Sequence, residues 1–407
     1  MSSIPQGGAF QRPLPDNVRP ATLGVRGGVL RSGFEETSEA LYLNSGFVYE
    51  SAEAAEAAFT GDVDHFVYSR YGNPTVKMFE ERLRLLDGAE GAYATASGMS
   101  AVFTALAALL GQGDRLVAAR SLFGSCFVVC NEILPRWGVE TVFVDGEDLD
   151  QWEQALSVPT TAVFFETPSN PMQTLVDVRR VSEMAHAAGA KVVLDNVFAT
   201  PLLQRSLDLG ADIVVYSGTK HIDGQGRVLG GAILGPQDYI DGPVKNLIRH
   251  TGPSLSPFNA WTLLKGLETM PVRLRASVDS TLRIAQFLES HAAVRWVKYP
   301  YLESHPQYEL AKSQMSGGGT IITFELDATE GEGKKRAFEL LNKLRIVDIS
   351  NNLGDSKSLI THPATTTHRA MGPEGRAAIG LSDGVVRLSV GLEDPEDLLE
   401  DLQQALS

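Results

Sequence analysis

The chain is predicted to be an α/β protein with a large, mostly parallel sheet domain followed by a smaller C-terminal α+β domain. Two observations carry that reading. Short apolar runs at 162–165, 191–194 and 213–216 are separated by stretches of helical periodicity, and strands that alternate with helices build a parallel sheet. Beyond a Pro/Gly/Ser stretch at 251–257, strand-like runs at 319–324 and 385–390 mix with helices without that alternation. The divisions expected are 1–60 for an N-terminal arm, 61–257 for the large domain and 258–407 for the small one.

The arm is rich in Gly, Pro and Ser and keeps no sustained period, so it is expected to pack on something else, such as a neighbouring subunit, rather than form its own core. From Thr75 onward, Val76, Phe79, Leu83 and Leu86 recur at helical spacing until Gly88, which can close a helix. Val178, Val181, Ala185 and Ala188 line a second helical face that ends at Gly189, and the β-branched run after it ends at Asp195. In a parallel sheet, ligands bind beyond the carboxyl ends of the strands, which makes the polar residues closing these runs candidates for a site. The tail opens with Asp394 as cap and Pro395 at the first helical position, with Leu398, Leu399, Leu402 and Leu406 on one face.

Composition excludes several classes of function. With a formal net charge of −15, the chain is repelled by phosphate backbones and anionic lipid, which speaks against nucleic-acid and membrane-surface roles. The longest apolar stretch, 99–110, contains Ser100 and Thr104 and is shorter than the ~20 residues a bilayer crossing needs. The amino terminus lacks a charged region followed by an apolar one, so a cytoplasmic protein is expected. Two cysteines, Cys126 and Cys130, four apart in a helical stretch, are too few for a disulfide framework or a zinc site and read as packed, inert thiols.

The common nucleotide and hydrolase signatures are missing: there is no GxxxxGK[ST], no HExxH and no GxSxG, and Gly224, Gly226 and Gly230 stand in the wrong context for a dinucleotide loop. Lysine chemistry remains. Lys220 follows the 213–216 run and is preceded by Ser217, Gly218 and Thr219, which suits a Schiff base better than solvation. Asp195, closing the preceding run, can keep a pyridine nitrogen protonated, the condition under which pyridoxal phosphate acts as an electron sink. Ser97, Gly98 and Met99 open an apolar helical run whose amides suit a phosphate, to which Ser217 and Thr219 can also donate. Each of these residues alone is as well explained by a cap or a strand end; the set together is not.

With Tyr68-Ser69-Arg70, Asn73-Pro74-Thr75, Ser97-Gly98-Met99, Glu166-Thr167-Pro168-Ser169-Asn170-Pro171, Asp195-Asn196, Ser217-Gly218-Thr219-Lys220 and Arg387-Leu388-Ser389-Val390-Gly391 in this order, the sequence resembles the Cys/Met-metabolism family of pyridoxal-phosphate enzymes over nearly its whole length. That resemblance implies the aspartate-aminotransferase-like fold of type I. It also implies that Lys220 is the Schiff-base lysine, that Asp195 partners the ring nitrogen, and that Gly98, Met99, Ser217 and Thr219 bind the phosphate. Tyr68 and Arg70 would come from the adjacent subunit of a tetramer built from site-sharing dimers. Asn170 would lie near the ring hydroxyl, and Arg387 would pair with the substrate α-carboxylate, a role its planar fork suits. Phe123 stands where most of the family has a tyrosine stacked on the ring, and Phe can stack but cannot exchange a proton.

Residues 220–231 and Asn352-Leu353-Gly354-Asp355 resemble the branch that uses O-succinylhomoserine and sulfide, which implies Asn352 as a substrate-binding residue and makes conversion of these small molecules to homocysteine and succinate the expected reaction. Arg227 and Lys357 are candidate cations for the distal succinyl carboxylate. An O-acetyl substrate, cystathionine synthesis, γ-elimination and a cofactor-bound protein without turnover remain as alternatives.

Overall fold

The computed structural model of the chain describes residues 14, 15 and 17–407; the rest of the expected arm lies outside the described residues. Its main sheet has seven strands: β1 (Gly91–Thr95), β2 (Arg115–Ala119), β3 (Glu140–Val144), β4 (Ala162–Glu166), β5 (Lys191–Asp195), β6 (Ile213–Ser217) and β7 (Gly231–Gly235). They lie in the order β1-β7-β6-β5-β4-β2-β3. The five strands from β6 to β3 are parallel, while β7 runs antiparallel to both of its neighbours. The three runs read from the sequence are thus the adjacent strands β4, β5 and β6. β4 is buried along its whole length, and β5 and β6 expose at most one end residue, so their faces carry continuous apolar residues instead of alternating ones.

A second sheet contains β8 (Val294–Lys298), β9 (Ile321–Leu326), β10 (Asp348–Ile349), β11 (Leu359–Thr361) and β12 (Val385–Ser389), in the order β10-β11-β12-β9-β8. All of its pairings are antiparallel except β10 with β11.

The stretch expected to be a featureless arm holds two helices, α1 (Pro20–Arg26) and α2 (Ala52–Thr60). α1 packs against α3 (Pro74–Asp87) and against a long helix described below. A seven-residue helix has little stability of its own, so packing rather than periodicity makes it, and the sequence carried no signal for it. α3 matches its expectation closely: Asn73 caps it by accepting from the Thr75 amide, Pro74 occupies its first turn, and Gly88 at φ 79° closes it.

Four more helices matter for the site and the frame: α4 (Gly98–Ala107), α5 (Gly124–Val128), α6 (Val178–Ala187) and α7 (Pro257–Ser290). α7 has 34 residues, about 50 Å at 1.5 Å per residue. Ala260, Leu263, Leu264, Leu267 and Met270 on its first half join the core under the large sheet, whereas Ile284, Ala285 and Leu288 on its second half join the core of the second sheet. One continuous helix, with Pro271 in its interior, therefore contributes to the cores of both sheets. The closing helix, α8 (Pro395–Leu406), is capped by Asp394 and buries Leu398, Leu402 and Leu406 in that second core.

Candidate active site

At the carboxyl edge of the large sheet, β4 ends in Glu166, β5 in Asp195 and β6 in Ser217, with Lys220 three residues further on. These side chains open on a cavity of about 220 Å³ that Gly98, Met99, Phe123, Asn170, Thr219 and Arg387 also line. The topology explains the convergence: parallel neighbours deliver their last residues to the same edge, and the register sets Glu166 opposite Asp195.

One end of the cavity is built for an anion. Ser97 caps α4 by accepting from the Ser100 amide at 3.1 Å, leaving the first turn of that ten-residue helix directed at the site. A Cβ on Gly98 would lie 2.6 Å from the Ser217 Cβ, so only glycine lets this helix start lie against β6. Ser217 and Thr219 stand beside it, with the Thr219 hydroxyl accepting from the Gly230 amide at 3.2 Å.

At Asp195 the character is reversed. The carboxyl is buried, accepts from the Val197 amide at 3.0 Å through Oδ1, and is pushed up to about 7 by burial. Glu166, beside it, is held well above the usual carboxylate range by burial and then by the Asp195 charge. Two carboxyls this close in a buried site do not both ionise readily, so a cation facing Asp195 would relieve the strain.

The Lys220 amine donates to Asn352 Oδ1 at 2.6 Å, and burial, helped by the Arg387 charge, brings it down to about 8. Arg387, on β12, is buried; it donates to Asn170 Oδ1 at 3.0 Å and to the carbonyls of Asn351 and Asn352 at 2.9 and 3.2 Å. Its Nε has no partner, and burial lowers it to about 10. Phe123, at the start of α5, is half-buried against the cavity.

Tyr68 and Arg70 stand apart from this group. The Arg70 guanidinium lies 5.3 Å from the Tyr68 ring and 4.7 Å from the Tyr71 ring, on the wall of a separate cavity of about 630 Å³. A single chain does not bring these two residues to Lys220.

Two expectations need correction. Arg227 and Lys357 do not line the cavity. Arg227 pairs at 2.8 Å with Asp223, a fully buried carboxylate, and Lys357 pairs at 2.9 Å with Asp355. Both cysteines are buried, as read, and burial pushes the Cys130 thiol up to about 12. Cys126 nonetheless reaches the cavity wall, 3.8 Å from Met99 Sδ, where burial and then the Asp195 and Glu166 charges hold its thiol well above the ordinary range.

Sequence reasoning quoted Glu166 within a motif but gave it no role, and it passed over Thr367 and Asn351, which also line the cavity. The signal available for Glu166 was its place at the end of an apolar run next to the one ending in Asp195.

The residues present fit pyridoxal phosphate. A helix start with two hydroxyls suits the phosphate, a buried carboxyl seeking a cation suits the ring nitrogen, an amine of lowered basicity suits the aldehyde, and a guanidinium with an unused N–H suits a carboxylate.

Comparison with known proteins gives the same picture. The model of the family described as Cys/Met metabolism PLP-dependent enzyme matches residues 21–407. O-succinylhomoserine sulfhydrylase of Mycobacterium tuberculosis is 74% identical over 394 residues, covering 97% of each chain. The enzyme of the same name from Pseudomonas aeruginosa is 45% identical over 386 residues, 95% of this chain and 94% of that one. Among solved structures, a Campylobacter jejuni chain carrying N'-pyridoxyl-lysine-5'-monophosphate superposes with a TM-score of 0.90 at 31% identity, covering 96% of this chain and 100% of that one.

Proposed function

Since the chain belongs to the Cys/Met metabolism PLP-dependent enzyme family, we propose that it catalyses γ-replacement in methionine biosynthesis, converting O-succinylhomoserine and sulfide to homocysteine and succinate. The observation that carries the choice of reaction is the near-complete coverage, at high identity, of the mycobacterial O-succinylhomoserine sulfhydrylase. It is a PLP-dependent enzyme with the type I fold, and the residue roles below rest on the geometry of the cavity.

When bound, pyridoxal phosphate supplies a sink for the electron density left at the substrate α-carbon. The first turn of α4, Ser217 and Thr219 hold the phosphate, and Asp195 keeps the ring nitrogen protonated. Phe123 covers the ring without offering a hydroxyl. Arg387 receives the substrate α-carboxylate, using the N–H that lacks a partner within the chain.

Lys220 Nζ takes the α-proton and then moves a proton at the β-carbon. Its lowered basicity leaves a useful neutral fraction near neutral pH, and Asn352 Oδ1 gives the free amine a fixed resting place. The γ-carbon–oxygen bond breaks and succinate departs as a stable carboxylate that needs little acid assistance, so the lack of a hydroxyl on Phe123 is tolerated. Sulfide forms the new γ-carbon–sulfur bond, and a cavity of this size admits so small a nucleophile.

Tyr68 and Arg70 complete the phosphate site from a neighbouring subunit, in a tetramer of site-sharing dimers; their distance from Lys220 within one chain supports this reading. Among the described residues no helix is long and apolar enough to cross a membrane, and the proposed location is the cytoplasm.

The test is product analysis after incubation with O-succinylhomoserine and sulfide. Homocysteine and succinate in equal amounts are expected. Release of an α-keto acid and ammonia, independent of sulfide, would contradict the proposal.

A further inference from the structure

Glu166 is a buried titratable group of the cavity wall to which the mechanism gives no task. It is 4% exposed and is set by the sheet register opposite Asp195. Its two carboxyl oxygens serve different segments: Oε2 accepts the backbone N–H of Phe123 at 3.0 Å, and Oε1 accepts the backbone N–H of Asn170. Phe123 precedes α5, and Asn170 lies in the loop that leaves β4. No other side chain among the described residues ties these two segments together by accepting both amides.

We propose that Glu166 is a positioning residue for the bound cofactor, its single carboxyl fixing both the backbone that carries the Phe123 ring and the backbone that carries Asn170. This rests on the reading that Phe123 and Asn170 touch the cofactor. The geometry restricts what can substitute. Aspartate is one carbon shorter and cannot span the same two donors, and glutamine offers one acceptor oxygen and turns an N–H₂ toward the other amide. Alanine leaves two buried N–H groups without acceptors.

Burial and the neighbouring Asp195 hold Glu166 well above the usual carboxylate range, with the Arg387 charge opposing. The two backbone N–H groups donate to the carboxyl oxygens and favour the charged form, opposing that upward push.

The test compares cofactor-loaded full-length wild type with Glu166→Gln and Glu166→Ala. It reads the visible circular dichroism per bound cofactor, the cofactor Kd and the melting curve. Expected is a changed dichroism in both variants, larger for alanine, with Kd raised on the order of tenfold for alanine. Phe123→Ala should then add less to Glu166→Ala than it does to wild type, because the two act through one contact. The proposal is overturned if dichroism and Kd in both variants match wild type, or if the Phe123 and Glu166 effects add in full. Should the alanine variant not fold, the near-isosteric glutamine variant decides, and unchanged dichroism in it overturns the proposal. A wild type that takes up no cofactor and shows no visible band refutes the underlying reading of the site instead, whatever the variants do.

Discussion

Lys220 shows how a single side chain acquires its chemistry from its place in the sheet. A lysine three residues past a buried strand loses most of its water, and the Arg387 guanidinium nearby disfavours a second positive charge; both effects lower its basicity. The sign matters for function. An amine with its midpoint brought down to about 8, from the ordinary 10.5, is neutral, and so nucleophilic, over a pH range where a surface lysine is still charged. The rate at which the cofactor-free protein captures pyridoxal phosphate, followed by visible absorbance, should therefore rise as pH is raised through about 8 and be small below it. A midpoint near that of a free lysine would contradict this. At this scale the sequence was readable where a polar residue closed an apolar run, as with Asp195 and Ser217. It was unreadable where a partner distant in sequence decides the role. Nothing local marks the Asn352 amide as the resting partner of Lys220, 132 positions away. Arg227 looked free until the fold buried Asp223 against it.

Among the elements, the contact between α4 and β6 does most to shape the site, since it brings a helix start and two strand-end hydroxyls to one point. Gly98 is the residue that permits it. A Gly98→Ala substitution places a methyl group 2.6 Å from the Ser217 Cβ, and the helix start must retreat. The expected result is a loss of about 1–3 kcal/mol in stability from overpacking, measured by denaturant unfolding, together with weaker cofactor retention. Unchanged retention would mean that the helix start does not hold the phosphate. Elements with strong periodicity or clear caps, such as α3, α6 and α8, were visible in the sequence because local chemistry specifies their ends. β7 was not: its run GAILG opens on glycine and has no flanking helical pattern, and only its pairing between β1 and β6 makes it a strand. α1 was missed for a related reason, since so short a helix is held by what it packs against, whereas α2 buries none of its residues and its signals, the Ser51 cap, the Ala/Glu run and Gly61 at φ 87°, were local and were passed over.

For the molecule as a whole, the site is a product of both sheets. The large sheet supplies Asp195, Ser217 and Lys220, while the second sheet supplies Arg387 from β12 and Asn352 from the segment between β10 and β11. The long helix α7 contributes to both cores, so a substitution such as Leu264→Ala acts on the site only through the frame. All of this serves one claim: that this fold presents one amine, and no other, to pyridoxal phosphate. Borohydride reduction of the loaded enzyme, followed by peptide mapping across every lysine of the chain, measures that directly. The account predicts a pyridoxyl group on Lys220 alone, and a pyridoxyl group on another lysine, or on none, would contradict it.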